Sequence, residues 1–468
     1  MTTALEDSVN GFADSFGGTL LLPGDANYDQ ARSVWNADIA RRPAVIARCA
    51  APEHVVAALA FGREQGLEIS VRGGGHNYSG AAVVEGGLMV DLSPMRMVTV
   101  DVEHRRARCG GGATWADVDA ATTAHGLAVT GGIVSHTGVA GLTLGGGYGY
   151  LTRKAGLTCD NLVSAEVVTA GGEVLTASAA QNTDLFWALR GGGGNFGVVT
   201  SFEFALHQVD PVVHLGRFVW AAEDAIEALR AIRELLTRLP DDMGVVIAGF
   251  TIPELPGVPP EHYGKPGIVL ILVSFDSAAQ LDGVAGEVRR RLAPLWDFTT
   301  PIPYVEVQKQ SDELQPWGSF AYEKAVYLNV LSDEAIEVIV KHLGRERSAH
   351  TTIGIYALGT VYGQVRNEDT AFGGSRSAAF MVGIETACPT AELLAGDRAW
   401  IRACWDDLVR HSAGVGSYVN FMAEFEEDRV RASYGPEKYE RLARIKARYD
   451  PENILHLNAN IKPLLPTG

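Results

Sequence analysis

Residues 71–80 read V-R-G-G-G-H-N-Y-S-G, one histidine inside a glycine loop directly after an apolar stretch. Glycine lets backbone close in on a flat, phosphate-bearing cofactor, and the loop holds against it a side chain with nucleophilic ring nitrogens. Three more glycine clusters follow, at residues 110–112, 145–149 and 191–197. One large cofactor laid across several loops explains them better than four unrelated turns.

Other chemistries are poorly supported. Gly192, Gly194 and Gly197 satisfy G-x-G-x-x-G, but a helix-like segment precedes them and a strand-like one follows, the reverse of a dinucleotide fold. There is no P-loop, no H-E-x-x-H and no G-x-S-x-G. Ser135-His136-Thr137 reads as a turn whose hydroxyls and N–H groups meet phosphate oxygens. Adjacent Ser and His cannot supply the converging geometry of a hydrolase triad. Five scattered cysteines, none in C-x-x-C spacing, write neither a zinc site nor a dithiol centre, and no metal is expected.

The bulk numbers agree. A 468-residue chain with 47% hydrophobic and 20% charged residues is an ordinary globular composition. Its net charge, 39 − 56 = −17, argues against nucleic acid or an anionic membrane as partner. No apolar run approaches the roughly 20 residues of a membrane span. The first residues lack the basic and apolar regions of a signal peptide, so cytoplasmic residence is the expectation.

The elements that position these loops can be read in outline. Residues 44–51 form a strand, Pro52 opens a helix with Val56, Leu59 and Ala60 on its inner face, and Gly66 ends it. Residues 67–71 are extended again and deliver the chain into the His76 loop. Residues 87–92 and 97–102 are strands with a hairpin turn at 103–106. Thr114-x-x-Asp117 is a capping box for a helix reaching His125. From Val212 glycine thins out and apolar strands alternate with charged helices, one of them at 223–238; a further helix is expected at 436–448. The expected division is a cofactor domain built from residues 1–207 and 413–468, with a substrate domain, 208–412, inserted between them.

The loop R-G-G-G-H-N-Y-S-G resembles the flavin-linking motif R-[SG]-G-G-H-x-Y-x-G of the vanillyl-alcohol-oxidase superfamily, in its berberine-bridge-enzyme-like branch. Residues 132–161 and 184–199 are similar to that family's second and third flavin loops. Tyr449-Asp450-Pro451-Glu452-Asn453 and Asn458-Ala459-Asn460 resemble its closing signature. The resemblance implies an α+β fold, a two-part PCMH-type FAD-binding domain with an inserted antiparallel sheet backed by helices. It implies FAD bonded through its 8α-methyl carbon to His76. Further cofactor contacts would come from Arg72, Gly73, Gly74, Gly75, Asn77 and Ser79, then from Ser135, Thr137, Gly138, Gly141, Gly145 and Gly146, and finally from Gly197, Val199, Asn458 and Asn460. Doubly linked members carry a cysteine in the second loop where this chain has Val134, and Cys159 lies well past it, so a single link is expected.

The implied reaction takes a hydride from an alcohol or hydroxylated small molecule to flavin N5, with O2 as acceptor and H2O2 as product. A base must take the hydroxyl proton, and Tyr418 is the first candidate. Tyr78 and Tyr148 are expected to face the flavin, Tyr148 being the one most suited to a packing role. Lys324, Tyr362, Gln364, Arg376 and Asn420 are weaker candidates for the pocket lining. A dehydrogenase of the same fold, or a non-catalytic flavin- or ligand-binding protein, are the alternatives; oligomeric state stays open.

Overall fold

The computed structural model describes residues 3–464, apart from residues 255, 346–347 and 415. The chain begins with a four-stranded sheet of β1 (Thr19–Leu21), β2 (Val45–Arg48), β3 (Ile69–Arg72) and β4 (Leu88–Asp91), ordered β1-β2-β4-β3. β2, β4 and β3 run parallel, and β1 pairs antiparallel to β2. Parallel pairing needs a crossover, which the helix Pro52–Glu64 supplies between β2 and β3. That helix buries Val55, Ala58, Leu59 and Gly62 rather than the expected Val56 and Ala60, which are partly or fully exposed. Gly62 sets the rotation, because a Cβ there would lie 2.7 Å from Ile69 and 2.9 Å from Leu88. The His76 loop leaves the carboxyl end of β3, where parallel sheets present ligand sites.

A second, antiparallel sheet holds β5 (Val98–Asp101), β6 (Arg106–Gly110), β8 (Leu162–Val168), β9 (Val174–Ser178) and β10 (Val198–Ala205), ordered β5-β6-β10-β8-β9. A short ribbon pairs β7 (Leu127–Ala128) with β11 (His207–Gln208). The capping box at Thr114 and Asp117 is present and opens the helix Trp115–Thr123. Trp115, Phe202 and Phe204 share one core with Leu442, Ile445 and Tyr449 of the helix Pro436–Tyr449. The two ends of the chain therefore close a single hydrophobic core.

Between them lies a seven-stranded antiparallel sheet. It contains β12 (Val212–Ala221), β13 (Met243–Thr251), β14 (Pro266–Ser274), β15 (Trp296–Pro303), β16 (Phe320–Leu328), β17 (Thr351–Ala357) and β18 (Phe380–Cys388), ordered β15-β12-β14-β13-β17-β18-β16. The helices Ala225–Leu236, Ala278–Leu292, Asp333–His342 and Ala391–Leu408 cover one face. Side chains alternate across a strand. In β16, Tyr322, Val326 and Leu328 meet those helices, whereas Ala321, Ala325 and Tyr327 belong to clusters on the opposite side, toward the glycine loops. Among the described residues, no helix is long and apolar enough to cross a membrane.

Candidate active site

The glycine loops and the inner face of the large sheet enclose a cavity of about 330 Å³. From the expected set, Gly73, Gly74, Gly75, His76, Asn77, Thr137, Gly138, Gly141, Gly197, Val199 and Asn458 line it, as do Tyr78, Tyr148 and Tyr418. The first two loops touch backbone to backbone: a Cβ on Gly74 would lie 2.3 Å from the Gly138 Cα. Part of the glycine content thus serves loop-to-loop contact as well as approach to a ligand. Gly75, at φ +69°, turns the chain so that His76 is presented to the cavity.

His76 stacks on the Trp35 indole, with ring centroids 4.4 Å apart and planes within 13°. Its Nε2 lies 3.1 Å from Nδ1 of His136. Burial, reinforced by the neighbouring His136, lowers the His76 pKa to about 3, so the ring is neutral at physiological pH. Burial lowers the pKa of His136 as well, and its ring also bonds to the Gln315 backbone. If the second nitrogen of His136 donates to that carbonyl, its Nδ1 accepts from His76 Nε2–H. In that arrangement the His76 proton sits on Nε2, and the ring's own backbone carbonyl is its other polar neighbour.

Tyr418 is held differently. Its hydroxyl oxygen accepts from Gly147 N–H at 2.8 Å and from Asn420 Nδ2 at 2.8 Å. Both lone pairs are then occupied, and the phenol proton remains free for another acceptor. Two N–H donors favour a phenolate, while burial dominates and raises the pKa above its usual value. Tyr78 is a poor base by comparison: its hydroxyl donates to Glu385 Oε2 at 3.1 Å, and burial with the carboxyls of Glu323 and Glu385 drives its pKa well up. Tyr148 donates to the Tyr327 hydroxyl at 2.8 Å and packs edge-on to Tyr418.

Six expected cofactor contacts lie outside the lining. Arg72 turns to the Ala31 carbonyl, and the Ser79 hydroxyl bonds Asn77 Oδ1 at 2.6 Å. Ser135 donates its backbone N–H and its hydroxyl to Asp312, at 2.8 and 2.5 Å. Gly145 packs against Asn420, and Gly146 against Phe372. Asn460 keeps a buried, unpaired Oδ1 outside the lining. Of the weaker candidates only Asn420 lines the cavity. Lys324 lies over the Trp405 ring on the helix side of the sheet, and Gln364 is exposed at a helix end. Arg376 is buried in a pair with Asp160 at 2.6 Å, stacked beside Tyr362.

The residues missed from sequence are on the roof: Glu385, Thr352, Tyr356, His350 and Gln315 line the cavity. The available signal was one acid in each of two largely apolar strands, F-A-Y-E-K-A-V-Y-L and F-M-V-G-I-E-T-A-C.

Comparison with known proteins agrees with this geometry. Residues 43–178 match the model of an FAD binding domain, and residues 417–462 match that of berberine and berberine-like proteins. An uncharacterised FAD-linked oxidoreductase of Bacillus subtilis is 30% identical over 96% of this chain and 97% of its own. The chain belongs to the berberine-bridge-enzyme-like FAD-linked oxidoreductases. The (R)-6-hydroxynicotine oxidase of Paenarthrobacter nicotinovorans is 29% identical over 96% of this chain and 97% of its own. The crystal structure of 6-hydroxy-D-nicotine oxidase from Arthrobacter nicotinovorans superposes with a TM-score of 0.84 at 28% identity, covering 96% of this chain and 98% of that one. A chitooligosaccharide oxidase shares the fold at 21% identity, with a TM-score of 0.84, over 98% of this chain and all of that one.

The residues of this FAD-linked oxidoreductase fit its cofactor. Asn458 and Asn460 carry buried Oδ1 atoms with no partner among the described residues, and Asn458 faces the cavity. The helix Val139–Gly145 starts at Gly138 in the cavity wall without a side-chain cap, which leaves N–H groups for phosphate oxygens. Val134 lines the cavity, and among the described residues no cysteine does.

Proposed function

We propose that the protein is an oxidase that holds FAD by a single bond to His76 and oxidises a hydroxylated small molecule with O2 as the electron acceptor. An alcohol and O2 become a carbonyl compound and H2O2, with two electrons and two protons leaving the carbinol C–H and O–H bonds for oxygen. FAD, when bound, would supply the hydride acceptor and the route by which the electron pair reaches oxygen. Tyr418 takes the substrate's hydroxyl proton only after giving up its own to solvent, and the Gly147 N–H and Asn420 Nδ2, both bonded to its oxygen, favour the phenolate that this requires. The roof side chains close the cavity against water and orient the substrate. The observation that carries this reading is the phenol oxygen of Tyr418, held by two N–H donors in the cavity that His76 also lines.

A test needs no substrate. The purified protein is denatured in acid or SDS and digested, and the peptide bearing His76 is weighed. A peptide heavier by one FAD is expected; flavin that washes away would remove the covalent claim. The native protein is also photoreduced and returned to air. Reoxidation within seconds is expected of an oxidase, and persistence for many minutes would favour a dehydrogenase.

A further inference from the structure

One loop of the inserted domain returns to the flavin loops. Residues 309–319 connect the helix Tyr304–Gln308 to β16. Along this strap the Gln315 carbonyl accepts the Trp35 indole N–H at 2.9 Å, and the Gly318 N–H donates to the Trp35 carbonyl at 3.3 Å. Trp35 in turn donates its own N–H to the Gly75 carbonyl at 2.9 Å, one residue before His76. Asp312 accepts the N–H and the hydroxyl of Ser135, at 2.8 and 2.5 Å, and the Trp317 ring lies 6.3 Å from that of His136. The Trp35 turn, the His76 loop and the Ser135-His136 turn thus meet under one strap.

The strap decides what His136 can do. Its Nδ1 stands 3.1 Å from His76 Nε2, and its ring also bonds to the Gln315 backbone. Burial opposes a proton on this ring. Among the described residues, the groups that favour one are the Asp312 carboxylate and the Gln315 carbonyl, and both belong to the strap. The two loops that carry the histidines hold no substitute. Residues 71–80 contain no acid, and Asp160, the acid of residues 132–161, is committed to Arg376 at 2.6 Å. His76, the other titratable ring, is itself neutral. Asp312 lies outside the cavity lining, so a substrate contact does not account for it.

Joining flavin to His76 breaks one C–H bond of the 8α-methyl group and the N–H bond of His76, and it forms one C–N bond. Two electrons and two protons leave, and O2, the acceptor of the proposed reaction, takes them as H2O2. The His76 proton must pass to a neighbour, and His136 is the base within reach. A protonated His136 then needs a counter-charge, which the Asp312 carboxylate supplies.

We propose that Asp312 is a positioning residue for the attachment of flavin to His76. With the Gln315 carbonyl it lets His136 take the His76 proton, so the link forms only once the inserted domain has docked on the flavin loops. This deepens the reading of His76 as the attachment point and rests on it. Three variants separate charge from anchoring. Asp312→Asn keeps an acceptor for Ser135 and removes the charge, Asp312→Glu keeps the charge on a longer side chain, and Ser135→Ala keeps the charge and removes one anchoring bond. Each is purified in air with excess FAD; native absorbance gives total flavin, and in-gel fluorescence after SDS gives the covalent share. Total flavin near that of the wild type is expected in all three. The covalent share is expected to fall to about a fifth of wild type or less in Asp312→Asn, and to stay above about half in Asp312→Glu and Ser135→Ala. Full linkage in Asp312→Asn would overturn the proposal. Equal losses in all three would overturn it too, because anchoring and not charge would then be the cause. If Asp312→Asn does not hold flavin, Asp312→Ser, which is smaller and still accepts from the Ser135 N–H, carries the same expectation. Wild-type protein without covalent flavin is a different failure: it sinks the attachment at His76 itself before any variant is made.

Discussion

At the scale of single residues, the His76 ring is fixed by two neighbours that do different things. Trp35 sets its plane by stacking, and His136 takes up one of its nitrogens. An imidazole that must bond to carbon needs one nitrogen to attack and the other to release a proton, and His136 Nδ1 stands 3.1 Å from His76 Nε2 to receive that proton. His136→Ala is accordingly expected to bind flavin and yet link it slowly. After denaturation its covalently held fraction should fall at least severalfold below wild type, while total flavin in the native protein stays similar. His76→Ala should hold no covalent flavin at all. In-gel fluorescence and absorbance before denaturation read the two quantities, and full covalent loading of His136→Ala would remove this role. His76 was legible in the sequence because a lone histidine among glycines has few other uses. His136 was read only as part of a phosphate-binding turn, since nothing in one dimension places residues 60 positions apart in contact. Glu385 showed in the sequence only as an acid in a largely apolar strand, because its meaning depends on Glu323 and Tyr78.

Between elements, a buried acid couples the second flavin loop to the large sheet. Asp119, on the helix Trp115–Thr123, is 2% exposed and accepts from Gln308 Nε2 at 3.2 Å. The same Gln308 nitrogen donates to the Gly132 carbonyl at 3.1 Å, so this amide ties three segments together. Asp119 Oδ1 and Gln308 Oε1 are both unpaired, and a proton on Asp119 provides the missing donor. Burial raises the Asp119 pKa from 3.8 to about 7. The folded state therefore binds this proton more tightly than the unfolded chain does. Its contribution is fully present below pH 4 and is lost as the pH rises through about 7, a change on the order of 4 kcal/mol at 1.36 kcal/mol per unit. Asp119→Asn keeps the shape and abolishes the titration. Urea midpoints measured from pH 4 to 8 should fall less steeply in the variant, and parallel curves would refute the assignment. At this scale, helices and strands were largely legible from period and caps. The order of the seven-stranded sheet was not, because neighbours such as β13 and β17 are separated by almost a hundred residues and many intervening elements. The inner face of Pro52–Glu64 was displaced by about one residue because the controlling contact is a glycine, which carries no hydrophobic signal.

Across the whole molecule, the question is what makes the returning C-terminal segment part of the first flavin unit. Apolar packing of Leu442, Ile445 and Tyr449 brings the helix Pro436–Tyr449 to the second sheet. A fully buried ion pair then fixes its register. Lys446 Nζ donates to Asp450 Oδ2 at 2.6 Å, to the Asn195 carbonyl at 2.8 Å and to the Leu455 carbonyl at 3.0 Å. Asp450 in turn accepts the N–H groups of Ile454 and Leu455 at 2.8 and 2.9 Å. One charged pair thus joins the third glycine loop, the closing signature and the turn leading to Asn458. Such a pair adds little against a hydrophobic replacement, but removing one partner strands the other, at a cost of about 3–5 kcal/mol. Lys446→Met should lower the melting temperature substantially and leave Asp450 buried without its cation. Adding Asp450→Asn, which can retain one acceptor for the Ile454 and Leu455 N–H groups, should recover part of that loss. A simple additive worsening would show that the hydrogen bonds, and not the stranded charge, dominate. Because Asn195 and Asn458 lie at either end of this network, Lys446→Met should also release flavin from its non-covalent contacts. The visible spectrum should lose its vibronic structure at temperatures where the far-ultraviolet circular dichroism is still native. If spectrum and secondary structure instead melt together, the pair is holding the whole fold rather than the join between chain end and cofactor loop.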